Sequence, residues 1–425
     1  MRRVPQGSHK IETQDDDKTR HRKMQTHGHP YRLTRQQLLL DLHKAYEDAS
    51  RGKHGKPYVR EFERHLEKEL SDLRDELWNG TYKPSRAKCF PIHDPTMREV
   101  IAAQFRDCTV NHLYHNYTEA LFERTFIADT YACIRGRGTH YGIDRLKRHI
   151  RSASRNYTVP CYCLQMDISG YFIHIQRSLL CAAVERKVKR MAGRRMAKDF
   201  PERWCDVLDV PFVLYLSRVL CLHNPVEDCV VLGSPAEWAG LPDSKSMRKA
   251  EPGRGVAIGN LDSQQFSNVF LDALDRFAKR RLHVRHYGRS VDDFYALGPS
   301  KKALRRVARR IGGFLKKVLD LEVNAKKTRI RNVLDGVRFL GQFILPHSSH
   351  VISGTFRRMR QKRDALVVSS PSPVRLRDCM NSWLGVMGHT DSFRKRASFC
   401  LPVTDVPMAG TFDDGYRKMS LVNCI

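Results

Sequence analysis

Ser290-Val291-Asp292-Asp293-Phe294 is the stretch whose reading decides the fold. Two adjacent carboxylates stand between two β-prone runs, His283-Val284-Arg285-His286-Tyr287 and Phe294-Tyr295-Ala296-Leu297. Strand-forming sequence on both sides places the pair on the turn of a hairpin. Neighbouring carboxylates at a tight turn repel each other unless a cation neutralises them, and a divalent metal is the usual solution. With a third carboxylate brought in by the fold, such a site can hold two ions for phosphoryl transfer. The dipeptide alone does not carry that conclusion. Asp15-Asp16-Asp17 and Asp413-Asp414 occur in the same chain and read as solvated loop residues.

Composition narrows the partners. The chain has 425 residues, enough for one multi-subdomain protein or two to three domains. Lys and Arg number 75 against 46 Asp and Glu, a net charge of +29. A soluble chain this basic meets a polyanion, and nucleic acid comes first. No apolar run reaches the roughly 18–20 residues of a membrane span, and the basic N-terminus lacks the apolar core of a signal peptide. A cytoplasmic location without membrane contact is expected. The 12 cysteines include no CxxC pair. Cys161 and Cys163 fall on one face of a strand and read as buried, reduced thiols.

Residues 1–33 read as a disordered basic arm. From Thr34 to about Trp78 the pattern is helical, with Leu38, Leu39, Leu42 and Tyr46 on one face. Phe62, Leu66, Leu70 and Leu73 share another face, and Asn79-Gly80 closes that helix. Short strands and helices are mixed over 88–160. An apolar strand from Val159 runs to Met166 and ends on Asp167. Residues 223–257, with four prolines and four glycines, read as a long loop or insertion. A helix follows to Arg281. The helix at 301–319 carries Leu304, Val307, Ile311, Phe314, Leu315 and Val318 on one stripe, opposite a face of Lys and Arg. Residues 350–398 read as basic and partly helical, and the final segment as irregular.

Several pieces gain meaning from their order. Asp167 ends its strand at a sheet edge, either as a helix-capping aspartate or as a third carboxylate for the pair. It lies 125 positions (292 − 167) before Asp292, so only the fold can join them. Gly255-Val256-Ala257-Ile258-Gly259-Asn260-Leu261-Asp262-Ser263-Gln264 is a glycine-bearing loop opening a helix, with Asp262 or Ser263 as cap. Lys327, in a turn after the basic helix, can neutralise or protonate a leaving pyrophosphate, or is a plain surface lysine. Gly336-Val337-Arg338-Phe339-Leu340-Gly341-Gln342-Phe343-Ile344 reads as a tight hairpin.

Strand-end carboxylate, glycine loop with helix, Asp-Asp hairpin, basic helix with Lys-Thr and Phe-Leu-Gly hairpin together resemble the palm of reverse transcriptases, over roughly residues 36–395. Arg98-Glu99-Val100, Phe105-Arg106-Asp107 and Tyr131-Ala132-Cys133-Ile134-Arg135-Gly136-Arg137-Gly138-Thr139-His140 resemble that family's fingers motifs. Ser263-Gln264 and Ser382-Trp383-Leu384-Gly385 resemble the enzymes of diversity-generating retroelements, which are related to group II intron, retron and antiphage defence reverse transcriptases. Ser290 departs from the family, which usually has Tyr there. Thr96 stands where Lys is common, and Cys108 where Arg is common.

The resemblance implies an α+β right-hand polymerase, with fingers, a palm built on an antiparallel sheet and a helical thumb. The expected divisions are N-terminal helices and fingers over 34–160, palm over 161–348, and thumb with C-terminal tail over 349–425. It implies an RNA-directed DNA polymerase, bacterial or phage-encoded, making cDNA from a template RNA, and the error-prone enzyme of a diversity-generating retroelement. The alternatives are a defence reverse transcriptase copying a non-coding RNA and a nucleic-acid-binding scaffold on a decayed polymerase fold. Asp167, Asp292 and Asp293 would hold two Mg²⁺ ions, with Mn²⁺ as a substitute, and Lys327 would serve the leaving group. Lys88, Arg98, Phe172, Gly259, Ser263 and Gln264 would bind the deoxynucleoside triphosphate, Phe172 excluding a 2′-hydroxyl. Arg135, Arg137, Ser290 and Arg338 would touch template RNA or a DNA or RNA primer. A small accessory protein or a homo-oligomer is a further expected partner.

Overall fold

The computed structural model describes residues 32–93, 96–197, 199–404 and 410–421. The arm expected over 1–33 lies outside these residues, apart from Arg32 and Leu33. The described residues fall into two compact units built from separated stretches of chain: those within Met1–Ser85, Ala103–Leu121 and Glu185–His223 in one, the others in the second. The stretches 34–160 and 161–348 therefore each contribute to both units.

The first unit is helical. Thr34 caps helix α1 (Arg35–Ser50), its hydroxyl accepting from the Gln37 amide at 3.1 Å. The buried positions Leu38, Leu42, Ala45 and Ala49 follow the 3.6-residue period, so small alanines complete a face that begins with leucines. The next pattern, expected as one helix, is two: α2 (Pro57–Arg64) and α3 (Leu66–Trp78). The break is at His65, whose backbone leaves the helical region at φ −124° and ψ 27°. Leu70, Leu73 and Leu77 are fully buried. Most of α4 (Phe105–Glu123) and α7 (Val210–Leu222) belong to this unit, where the Tyr114 and Ser217 hydroxyls bond at 3.0 Å.

The second unit contains a ribbon of β1 (Lys88–Ile92) and β2 (Arg98–Ala102). Residues 223–257 are not a bare loop. Their strand β4 (Val230–Val231) pairs parallel with β1, giving the order β2-β1-β4. Glu99, 4% exposed, ties the segment down by accepting from the Ser246 hydroxyl (3.0 Å), the Met247 amide (2.5 Å) and the Arg248 guanidinium (2.7 Å).

The central element of this unit is a fully antiparallel four-stranded sheet of order β5-β6-β3-β7: β3 (Tyr162–Met166), β5 (Tyr287–Ser290), β6 (Asp293–Gly298) and β7 (Arg329–Asn332). Strand β3 is shorter than the expected Val159–Met166, and β5 begins at Tyr287 rather than His283, which sits at φ 53°. Helix α5 (Thr139–Ala153) covers one face, where Ile143, Leu146 and Ile150 pack with Cys161, Cys163, Tyr295 and Leu297. The two thiols are buried on one face, as their spacing requires.

Gly288 lets Tyr131 lie across β5. A Cβ at that position would stand 2.1 Å from the Tyr131 hydroxyl and 2.8 Å from the Tyr295 ring, and both tyrosines are fully buried. Gly288→Ala therefore overpacks this core, and we predict a loss of about 2–3 kcal/mol in urea unfolding. A loss below about 0.5 kcal/mol would contradict the packing.

The basic helix α9 (Lys301–Phe314) runs into a π-helical turn over Leu315–Leu319. That turn corrects the expected stripe. The wider turn brings Leu319 to the core and leaves Val318 51% exposed.

Residues 350–398, expected to be partly helical, are largely so, and the described residues of the final segment, expected to be irregular, include a hairpin. Helices Ser353–Val368, Pro373–Gly388 and Phe393–Thr404 share a core with the final hairpin Thr411–Phe412/Met419–Ser420, in which Met419 is fully buried. Among the described residues no helix is long and apolar enough to cross a membrane.

Candidate active site

Strand pairing explains how residues far apart in sequence reach one edge. Met166 pairs with Phe294, so the next step of the antiparallel register sets Asp167 opposite Asp293. Ser290 pairs with Asp293 and closes the hairpin, leaving Val291 and Asp292 as a two-residue turn. Val291 has φ 56°, a conformation costly for a β-branched side chain and normally taken by glycine at this hairpin position.

Asp292 and Asp293 sense their carboxylate neighbours. Burial, and then the Asp167 charge, pushes Asp292 up to about 6. Burial followed by the charges of Asp292 and Asp167 pushes Asp293 up to about 7. Lys327 Nζ donates to Asp167 Oδ2 at 2.7 Å, and this bond raises the lysine above its ordinary value. Asn324 holds the same segment: its amide donates to the Asp167 carbonyl at 2.8 Å, and its Oδ1 accepts from the Lys327 amide at 3.3 Å.

Asp413 makes the contrast clear. Its carboxylate accepts from the backbone amides of Arg417 (2.5 Å) and Lys418 (2.8 Å), which hold it below the usual range. That pair organises a hairpin turn, whereas Asp292 and Asp293 are left seeking positive charge.

An all-oxygen carboxylate set under mutual repulsion has the chemistry of a hard divalent cation site. Among the described residues, no three His, Cys, Asp or Glu side chains are already gathered as a metal-binding cluster. Asp167 is instead engaged by Lys327. The donor types fit Mg²⁺, and in this structure Asp167 is bonded to the Lys327 ammonium.

Around this edge the other expected residues fall into place unevenly. In the ribbon register Lys88 pairs with Ala102 and Arg98 with Ile92, so Lys88, Phe90, Ile92, Arg98 and Val100 share one face. Lys88 and Arg98 are exposed there. Gly259, at φ 121°, looks toward that face, its Cβ direction lying 3.9 Å from Val100. Phe172 is half-buried, and its carbonyl accepts from Val256 at 2.8 Å, which joins it to the glycine loop.

Helix α8 (Leu261–Arg276) starts at Leu261 with Asn260 at its cap, two residues earlier than expected. Gln264 is exposed on its first turn; Asp262 and Ser263 are buried and do not cap it. Arg135 and Arg338 are exposed, and Ser290 is half-buried. Arg137 is half-buried, and its Nη1 donates to the carbonyls of Ile127 (2.7 Å) and Thr130 (2.9 Å). Sequence reasoning passed over Arg289, Asp275, Asn268 and Asn324, because an Arg, Asp or Asn on an apolar element carries no spacing signal of its own.

Asp262 is 6% exposed with one carboxylate oxygen unpartnered, and burial pushes it up to about 6 from 3.8. The folded carboxyl therefore binds its proton more tightly than the unfolded one. Its cost is absent below about pH 4, grows as pH rises through 6, and reaches about 3 kcal/mol above that. Asp262→Asn should raise the melting temperature at pH 7.5, with the gain shrinking toward pH 4.5. An equal gain at both pH values would contradict this reading.

No family model matches the chain. It is 24% identical to Protein YkfC of Escherichia coli K12 over 311 residues, 65% of this chain and 71% of YkfC. Among solved structures, a telomerase from Candida albicans in complex with a TWJ fragment of telomeric RNA gives a TM-score of 0.46 at 12% identity, covering 79% of this chain and 58% of that one. Apo telomerase from Candida tropicalis gives 0.45 at 12% identity, covering 76% and 60%. The chain thus spans somewhat over half the length of these telomerase chains.

Proposed function

We propose that this chain is an RNA-directed DNA polymerase that extends a primer along a template RNA by nucleotidyl transfer. The supporting observation is the convergence of Asp167, Asp292 and Asp293 on one edge of the antiparallel sheet, with Lys327 bonded to Asp167. In this reading the sheet and its flanking helices are the palm, the β1–β2 ribbon belongs to the fingers, and the helices after Ser353 form the thumb.

Two Mg²⁺ ions bound by the three carboxylates would supply activation of the primer 3′-hydroxyl and neutralisation of the leaving pyrophosphate. The chain's own groups do the positioning, which dominates phosphoryl-transfer catalysis. Lys88 and Arg98, on the exposed face of the ribbon, bind the triphosphate. Gly259, without a side chain, lets the nucleotide approach the opening of α8. Lys327 carries a proton at Nζ, bonded to Asp167, and would give it to the leaving pyrophosphate. Phe172, backed by Val256, lies under the sugar and rejects a 2′-hydroxyl. Arg135, Arg338 and Ser290 contact the nucleic acid, and the net charge of +29 makes binding strongly salt-dependent.

Within this activity we favour the error-prone enzyme of a diversity-generating retroelement. Ser263-Gln264 is the reason: the pair resembles those enzymes, and Gln264 is exposed on the first turn of α8. Extension of a primed RNA by deoxynucleotides tests the polymerase reading, and Phe172→Ala tests its sugar gate. The variant should lose at least about tenfold of its discrimination against ribonucleotides. Unchanged discrimination would remove Phe172 from the site.

A further inference from the structure

The carboxylate turn is held from below by a side chain with no exposed surface. Arg289, on β5, and Asp275, on α8, are both 0% exposed and form a two-pronged ion pair: Nε to Oδ1 at 2.8 Å and Nη2 to Oδ2 at 2.7 Å. Tyr287 and Thr130 hydroxyls complete Asp275 at 2.8 and 2.9 Å. The remaining prong, Nη1, donates to Asn268 Oδ1 at 3.2 Å and to the carbonyl of Val291 at 2.9 Å.

That last bond falls on the strained residue. A valine at φ 56° persists only where its surroundings over-determine the conformation. A buried ion pair is a poor source of net stability, and its best-attested use is to select one conformation. Here the conformation selected is that of the turn bearing Asp292. The anchor reaches farther, because Asn268 and Asp275 lie on the helix that the glycine loop opens. Asn268 also donates to the Ala132 carbonyl at 2.8 Å, and the Arg289 backbone bonds Asp129 (2.8 Å) and Tyr131 (2.9 Å). The guanidinium thus ties the carboxylate turn to α8, and the Arg289 backbone, with Asn268, ties both to the 127–137 segment.

We propose that Arg289 is a positioning residue: by holding the Val291 carbonyl from an anchor on α8, it fixes the strained turn and so the direction of the Asp292 and Asp293 side chains. Its kinetic consequence rests on the nucleotidyl-transfer reading of this edge; its structural claim does not.

The test uses the full chain and Arg289→Lys, which keeps the charge and loses the planar fork, compared with wild type where both remain folded by near-ultraviolet circular dichroism. Amide exchange at Ser290 and Asp293, the closing pair of the hairpin, should quicken by at least about tenfold, while exchange in α5 stays the same. On a primed RNA template kcat should fall about 100-fold with KM for deoxynucleotide little changed, as for a reacting group displaced by about 1 Å. Adding Val291→Gly removes the strain that Arg289 opposes and should restore about tenfold of the lost kcat. A general packing defect would show no such rescue.

Asn268→Ala, which leaves the ion pair intact, should shift exchange and kcat in the same direction by a smaller factor, and it serves if the lysine variant does not fold. Wild-type exchange at Ser290 and Asp293 in the variants would overturn the proposal. So would a kcat loss that Val291→Gly does not relieve. If the wild-type chain extends no primer, the polymerase reading fails, and the exchange measurement alone decides whether Arg289 holds the turn.

Discussion

Asp292→Asn abolishes primer extension, with a loss of at least about a thousandfold in kcat, while the protein melts no earlier than wild type. In the proposed polymerase reading Asp292 would hold a metal ion, and removing such a carboxylate forfeits several kcal/mol of transition-state charge stabilisation, each 1.4 kcal/mol being tenfold in rate. Stability moves the other way because Asp292 is destabilised in the fold, by burial first and by the Asp167 charge second. An amide of the same shape carries neither cost. Lost chemistry with retained or improved stability is the mark of a site shaped for function rather than folding. A variant with wild-type extension rates, or one that merely unfolds, would count against the assignment.

Asp275→Ala should show the opposite balance, with a large loss of stability. It strips the partner from a guanidinium with no exposed surface and leaves the Tyr287 and Thr130 hydroxyls unbonded. Breaking a buried pair on one side costs about 3–5 kcal/mol. The exposed pair Lys68–Asp72, at 76% and 52% side-chain exposure, is the control. Its removal should cost under about 1 kcal/mol. Urea unfolding of the two variants side by side makes the comparison. A loss at Asp275 no larger than at Asp72 would show that the Arg289 network does not hold the fold together.

The hairpin carrying Asp292 and Asp293 was legible because β-prone runs flank a short polar break. Asp167 was legible as a strand end, but its meeting with Asp293 was not, since antiparallel register across 125 positions leaves no local trace. The exposed face shared by Lys88 and Arg98 follows from period-two alternation once the ribbon register is known. What escaped were features set by backbone form. The π-turn at Leu315–Leu319 rotates the core stripe, the break at His65 splits a helix, and residues 223–257 add a strand by pairing with β1. Arg137 Nη1 donates to two carbonyls of its own neighbourhood, a local role that no sequence spacing announces. Arg289 was hidden because burial of a guanidinium depends on a partner 14 positions away on another element.

The most direct measurement is single-nucleotide extension of a labelled primer annealed to a defined RNA template, with purified full-length chain and Mg²⁺. The account predicts addition of the deoxynucleotide complementary to the template base, absent in Asp167→Asn and in Asp292→Asn, each verified as folded. No extension by the wild-type chain, or extension that survives loss of both carboxylates, would contradict it.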